Sequence, residues 1–190
     1  MRIKRTYTNF TTLIDIGRFA FFIDFDPDGV TVEIKNIIKQ ASHFNRIVLT
    51  GKEPFKERDN IQKLIKNITA ANPNVMFEIN TNGTIHPLGI GGFKNIIYNV
   101  FVQLKNGEDS YIDRIKPEIL SWFNDMNANF IFKINKDDDI DEAFSLINDF
   151  GIKKSQVFLM PDSESVKLVL ERAKYYGYNF TIPLEVEFNE

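Results

Sequence analysis

Cysteine is absent from all 190 residues. That excludes a disulfide, a thiolate nucleophile and any cysteine-ligated zinc or iron–sulfur site. Histidine is almost as scarce: His43 and His86 are the only two, and they are not spaced as a metal-binding pair. No apolar run approaches the roughly 18 residues of a membrane-spanning helix. The start, Met1-Arg2-Ile3-Lys4-Arg5, lacks the apolar stretch of a secretory signal. Basic charge is not in surplus either. With 23 Lys and Arg against 26 Asp and Glu, the net charge is −3, which leaves no electrostatic footprint for nucleic acid. Together these absences predict a cytoplasmic protein with neither a nucleic-acid nor a membrane partner.

What is present suits a well-packed α/β domain. The chain is 43% hydrophobic with 18 Phe. "FAFFIDF" (19–25) reads as a buried strand, and "DPDG" (26–29) as a turn shaped by Pro27 and Gly29. Thr31 is expected to cap a helix whose apolar face is Ile34, Ile37, Ile38 and Ala41. "RIVLT" (46–50) is a strand, followed by a helix with Ile61, Leu64, Ile65 and Ile68 on one face. Further strands are expected at 75–79, 96–104, 129–134, 156–160 and 178–182. Helices are expected over 116–126, around Ile140–Ile147, and over 163–176. This alternation calls for parallel strands joined by crossovers, as a doubly wound sheet or an open, partial β/α barrel. Either way the functional face lies at the carboxyl ends of the strands. With no linker, repeat or low-complexity segment, residues 1–190 are expected to form a single domain. Asn- and Lys-rich patches suit an AT-rich, phage-like gene.

"LTGKEPF" (49–55) is shaped like a ligand-binding turn at a strand end. Taken with the other strand-end segments, in order, it resembles the 7-carboxy-7-deazaguanine synthases, radical S-adenosylmethionine (SAM) enzymes of the queuosine pathway. "IGRFAFFIDF" resembles that family's GRP-x-x-FIRL strand, "IVLTGKEP" its V-x-TGGEP turn, "FEINTNGT" its ETNGT, and "VFLMPDSES" its LMPEG. "VFVQLKNG" stands where the family has Ser-Pro-Lys, "FIFKI" fits a later strand, and "YGYNFTIPLEVEF" fits the closing segment. The resemblance covers nearly the whole chain. It implies an open partial β/α barrel of about six mainly parallel strands, radical-SAM-like.

The same comparison shows what is missing. The family's Cys-x3-Cys-x2-Cys has no counterpart. Either its loop is deleted and replaced by the turn at 26–29, or an ungapped match puts Arg18, Phe22 and Phe25 at the cysteine positions. Neither arrangement can hold iron, so no cluster can reduce SAM, and the resemblance implies a pseudoenzyme without cofactor. Asp24 stands for the arginine that resembles a substrate-carboxylate clamp, which reverses the charge. Asn80 replaces the glutamate before TNGT. The family's Gln/Glu-rich opening is "NFTTLID", its closing histidine is absent, and Lys105 keeps only the lysine of Ser-Pro-Lys. In the relic SAM-type turn Thr50-Gly51-Lys52-Glu53-Pro54, Lys52 replaces a glycine that lets backbone approach SAM.

Several residues admit two readings. Asp24, Asp26 and Asp28 alternate like metal ligands but lack the rest of a calcium loop. Asp24 or Asp26 is expected to neutralise Lys52, which would then plug the former site. Asn80, Thr81, Asn82 and Lys105, with Asp24 and Asp26, form a possible ligand pocket. As a turn, however, Asn82-Gly83 needs no ligand. "DDDID" (137–141) reads as a helix N-terminus, and "GIGG" (89–92) as a connection. Trp122 and Phe123 mark either core or an interface. The expected role is an inactive scaffold with a protein partner or self-association, a homodimer by family resemblance. The alternative is a module that still binds SAM, a pterin or a 7-deazapurine without radical chemistry.

Overall fold

A computed structural model describes residues 1–11, 13, 16–105 and 110–182. The expectations resting on Thr12, Ile14 and Asp15 of "NFTTLID", on Asn106 and Gly107, and on the tail from Pro183 lie outside these residues. Among the described residues, nine strands form one open sheet in the order β3-β1-β2-β4-β5-β6-β7-β8-β9. The strands are β1 (Arg2–Phe10), β2 (Phe19–Phe25), β3 (Val30–Thr31), β4 (Arg46–Gly51), β5 (Met76–Thr81), β6 (Ile96–Val102), β7 (Asn129–Ile134), β8 (Val157–Pro161) and β9 (Asn179–Phe180). From β2 to β9 every pairing is parallel, whereas β1 runs antiparallel to both β2 and β3. The expected partial barrel is therefore present, with an antiparallel edge added to it.

The described α-helices between the strands are α1 (Ile34–Ala41), α2 (Arg58–Ala71), α3 (Tyr111–Arg114), α4 (Pro117–Asp125), α5 (Asp137–Asp149) and α6 (Val166–Tyr176). α2 buries Ile61, Leu64, Ile65 and Ile68 completely, at the spacing read from the sequence. Full burial of each such side chain stabilises by about 1.5–3 kcal/mol. The alternation of a pleated strand then sorts the two faces of the sheet. Phe21, Ile23 and Phe25 of β2, Ile47 and Leu49 of β4, Phe77 and Ile79 of β5, and Phe130, Phe132 and Ile134 of β7 join the helices in one core. Residues between them point to the opposite, inner face.

Two expectations are corrected. Thr31 does not cap α1; it pairs with Arg2 in β3, and the cap position is Glu33, with no side-chain cap bond. The β2–α1 connection is thus longer than a four-residue turn, because β3 is drawn out to cover the start of β1. Trp122 and Phe123 belong to the core side: Phe123 is fully buried, and Trp122 packs edge-on against it and against Tyr98. The acid-rich start of α5 is a helix N-terminus, as expected. Asp139 turns back to accept the Asn135 and Lys136 N–H groups. At the far side of the sheet the Thr181 hydroxyl donates to the Leu13 carbonyl, 3.4 Å away and 168 positions earlier.

Candidate functional site

The carboxyl ends of β2, β4 and β5 bring the sequence-predicted residues together. β2 and β4 are in register through Asp24↔Thr50 and Phe25↔Gly51. Gly51 has φ +111°, and a Cβ built there would lie 2.2 Å from the Phe25 carbonyl oxygen and 2.6 Å from the Phe25 nitrogen. These are backbone atoms of the neighbouring strand and cannot swing aside. Gly51→Ala is expected to destabilise by about 1–3 kcal/mol, read as a lowered thermal midpoint. Gly51 is required by strand packing alone, ligand or no ligand.

Lys52 follows. Its ammonium lies 3.0 Å from Asp26 Oδ1 and 3.1 Å from Asp28 Oδ2. The expected neutralisation is there, through Asp26 together with Asp28. Asp24 instead faces Arg5, with Nε 3.8 Å from Oδ2. The Asp26 carboxyl is held below the usual range, first by the Asp28 backbone N–H and then by Lys52. Lys52 is shifted up by the same two carboxylates. The Lys52 side chain is 58% exposed, however, so it clamps the 26–29 turn over the strand ends rather than filling the interior. Arg18 precedes β2, Phe22 stacks on Tyr7 at 4.9 Å, and Phe25 is core. β2 is thus an ordinary strand at the ungapped positions.

Glu53 is the centre of this region. It is 3% exposed and accepts the Phe55 N–H (3.0 Å), the Asn82 N–H (2.9 Å) and the Thr81 hydroxyl at both oxygens (3.0 and 2.9 Å). Burial raises its pKa, and the Asn82, Phe55 and Thr81 hydrogen bonds oppose that rise. The "GKEP" and "TNGT" segments are therefore tied by one carboxylate. Asn82 Oδ1 in turn accepts the Thr84 N–H and hydroxyl, which closes the turn on itself. Lys105 does not join this group; its backbone N–H donates to Glu142, which also pairs with buried Arg114.

The inner face carries a network that was not anticipated. Arg46 Nη1 lies 3.3 Å from Glu78 Oε2. Asn99 Nδ2 donates to Glu78 Oε1 (2.8 Å) and to Asn80 Oδ1 (2.9 Å), and Asn129 Nδ2 donates to Asn99 Oδ1 (2.9 Å). A long contact of 3.5 Å links Asn80 to Thr50. The row crosses β4 to β7 on the side away from the helices. Period-two alternation in "MFEINT" and "NFIFKI" was the available signal, since it puts Glu78, Asn80 and Asn129 opposite the core positions.

The fold has a counterpart among solved structures. QueE from Escherichia coli superposes with a TM-score of 0.70 at 15% identity, over 95% of this chain and 92% of that one. The chain shares the fold of QueE. QueE is a 7-carboxy-7-deazaguanine synthase of the radical SAM class, so the fold is radical-SAM-like, as the strand-end motifs implied. Streptococcus suis SuiB is also similar, with a TM-score of 0.55 at 14% identity, over 83% of this chain and 44% of SuiB. No protein-family model matches the chain. No curated protein matches it in sequence. On the QueE fold, the residues here do not suit an iron–sulfur cluster. The chain has no thiolate, and the strand ends present Asp26, Asp28 and Lys52 already paired with one another. Among the described residues no group of three or more His, Asp or Glu is arranged to hold a metal ion, and no helix is long and apolar enough to cross a membrane.

Proposed function

We propose that this chain is a QueE-fold protein without radical chemistry, a scaffold whose function is interaction rather than catalysis. The observation that carries this reading is the strand-end turn. The segment that would have to hold a cluster is a short turn, stapled by Lys52 to Asp26 and Asp28. The glutamate of the relic turn has both oxygens committed to Phe55, Thr81 and Asn82. Turn geometry has been kept while the groups for cofactor chemistry are gone. A fold can outlast its site in this way, because function resides in the site.

The test is anaerobic reconstitution with iron and sulfide, followed by incubation with SAM and a reductant. The expected result is no protein-bound cluster and no 5′-deoxyadenosine. A stoichiometric cluster, or SAM cleavage above a protein-free control, would overturn the proposal. A second reading, a ligand-binding module, is favoured by the inner-face row. Thr50, Asn80 and Asn129 are partly exposed polar residues on the same face of the sheet as the stacked Tyr7 and Phe22 rings. Calorimetric titration with SAM and with 7-deazapurines distinguishes the two: saturable heat with either ligand selects the module, and its absence selects the scaffold.

A further inference from the structure

The sheet has a seam between β9 and β1, and the chain itself runs toward it. Among the described residues, β3 pairs with Arg2 and Ile3 on the outer edge of β1 and goes no further. The Thr11 N–H donates to the Arg18 carbonyl, so position 11 faces β2. Alternation along the antiparallel ladder turns the backbone groups of Asn9, Tyr7 and Arg5 toward β2, and those of Phe10, Thr8 and Thr6 outward. The Thr6 hydroxyl donates to Gln40 of α1, and Phe10 packs on Phe19, so side chains 6, 8 and 10 lie on the helix side of the sheet. Tyr7 stacks on Phe22, so side chains 5, 7 and 9 lie on the inner face. Phe10 and Phe19 are large apolar rings left half-exposed. An edge of this kind is a template for another strand.

On the other side of the seam, β9 has no way to continue along β8. The ladder between them ends with the Thr181 N–H on the Leu159 carbonyl, 3.1 Å away. The next rung needs an N–H from Pro161 and another from Pro183, and proline has none. The Thr181 hydroxyl meanwhile donates to the Leu13 carbonyl, so the chain leaves β8 close to the end of β1. β9 runs with β2, and β1 runs against it, so a segment continuing the direction of β9 is antiparallel to β1. We propose that residues 183–190 are that segment, a strand laid along the outer edge of β1 and spanning the seam. Its length matches, since 184–190 count off against positions 10 back to 4. Counted from the Thr181–Leu13 contact, Leu184 stands opposite Phe10, Val186 opposite Thr8 and Phe188 opposite Thr6. The three apolar side chains then cover the Phe10 and Phe19 patch on the helix side. Glu185 and Glu187 fall on the inner face. Glu187 is opposite Tyr7 and diagonal to Arg5, whose guanidinium is 63% exposed and lies 4.7 Å over the Tyr7 ring. A slip of one residue would set both glutamates beside Phe10 and Phe19 and waste the apolar row. This inference does not depend on whether the chain is a catalyst, so either can fail alone.

The cysteine-free chain permits a direct reading of register. In the proposed pairing Asn9 and Glu185 are a non-hydrogen-bonded pair, about 4.5 Å between Cα atoms and within disulfide reach. Asn9→Cys with Glu185→Cys is expected to form a disulfide within one chain on mild oxidation, detected as a linked peptide pair in monomeric protein. Asn9→Cys with Leu184→Cys, one residue out of register, is not. Amide hydrogen exchange of the full chain gives a second reading. The Thr8 and Thr6 N–H groups would donate to the carbonyls of Val186 and Phe188, and both are expected to be protected in the wild type. Val186→Pro removes a donor from the middle of the new ladder. It is expected to abolish that protection while the amides of α2 and β5 exchange as slowly as before. Unprotected Thr6 and Thr8 amides in the wild type overturn the proposal, as does protection that survives Val186→Pro. Preferential cross-linking of the Asn9→Cys, Leu184→Cys variant overturns it too, and so does a disulfide between two chains, which would give the edge to a second copy. Should Val186→Pro fail to fold, the two cysteine pairs and the wild-type exchange decide.

Discussion

Arg46→Ala is expected to destabilise the protein by about 3–5 kcal/mol in urea denaturation, the usual cost of stranding one half of a buried ion pair. Both partners are deep: the side chains of Arg46 and Glu78 are 10% and 3% exposed. Glu78 would keep the hydrogen bond from Asn99 but lose its countercharge. Asn99 is shared with Asn80 and Asn129, so the damage would spread along the row from β4 to β7. Replacing both partners with apolar residues of similar size, Arg46→Met with Glu78→Leu, is expected to recover most of the loss, because no unpaired charge then remains. A double variant as unstable as Arg46→Ala alone would show that the row itself, and not the countercharge, holds these strands.

Glu53→Ala is the other large effect, expected at about 3–4 kcal/mol. It leaves the Phe55 and Asn82 N–H groups and the Thr81 hydroxyl without their acceptor in a buried place, and these costs are not fully additive. Glu53→Gln is expected to cost less, about 1–2 kcal/mol. Each carboxylate oxygen faces a backbone N–H, so the amide NH2 must oppose one of them. The pH dependence has a definite sign. Burial places the folded-state pKa of Glu53 above its unfolded value. Its contribution is therefore fully present below the unfolded carboxylate pKa and declines as pH rises through the folded one. The stability gap between wild type and Glu53→Ala should narrow from acidic toward neutral pH in parallel denaturation curves. A gap that widens over that range would mean that the hydrogen bonds to the carboxylate outweigh its desolvation.

Much of the fold could be read directly from the chain. The α2 face and the six long parallel strands follow from apolar spacing, because each element buries one face against the next. β3 and α3 were missed for a physical reason: at two and four residues they have too little periodicity to register, and neighbours hold them in place. At the site, the Lys52–Asp26 pair was foreseeable because adjacent parallel strands end side by side. The link from Glu53 to Thr81 and Asn82 was not, since it depends on a carboxylate turning inward from a loop. Asp24 departed from the expected pairing because the antiparallel β1 brings Arg5 across from it. The Arg46–Glu78–Asn99–Asn129 row was hidden because each residue taken singly looks like a solvent-facing strand position.

The strand order also says something about how the protein is assembled. Apart from the small β3 edge, each strand is bonded to the one that precedes it in the chain. Such a sheet can grow by successive short-range additions, in which each new strand and helix close only a modest loop. The Thr181–Leu13 contact is the exception, because it joins positions 168 apart. It gains nothing until the intervening strands are in place, so it belongs at the end of folding and at the beginning of unfolding. The seam where the sheet fails to close is then also where the protein first comes apart.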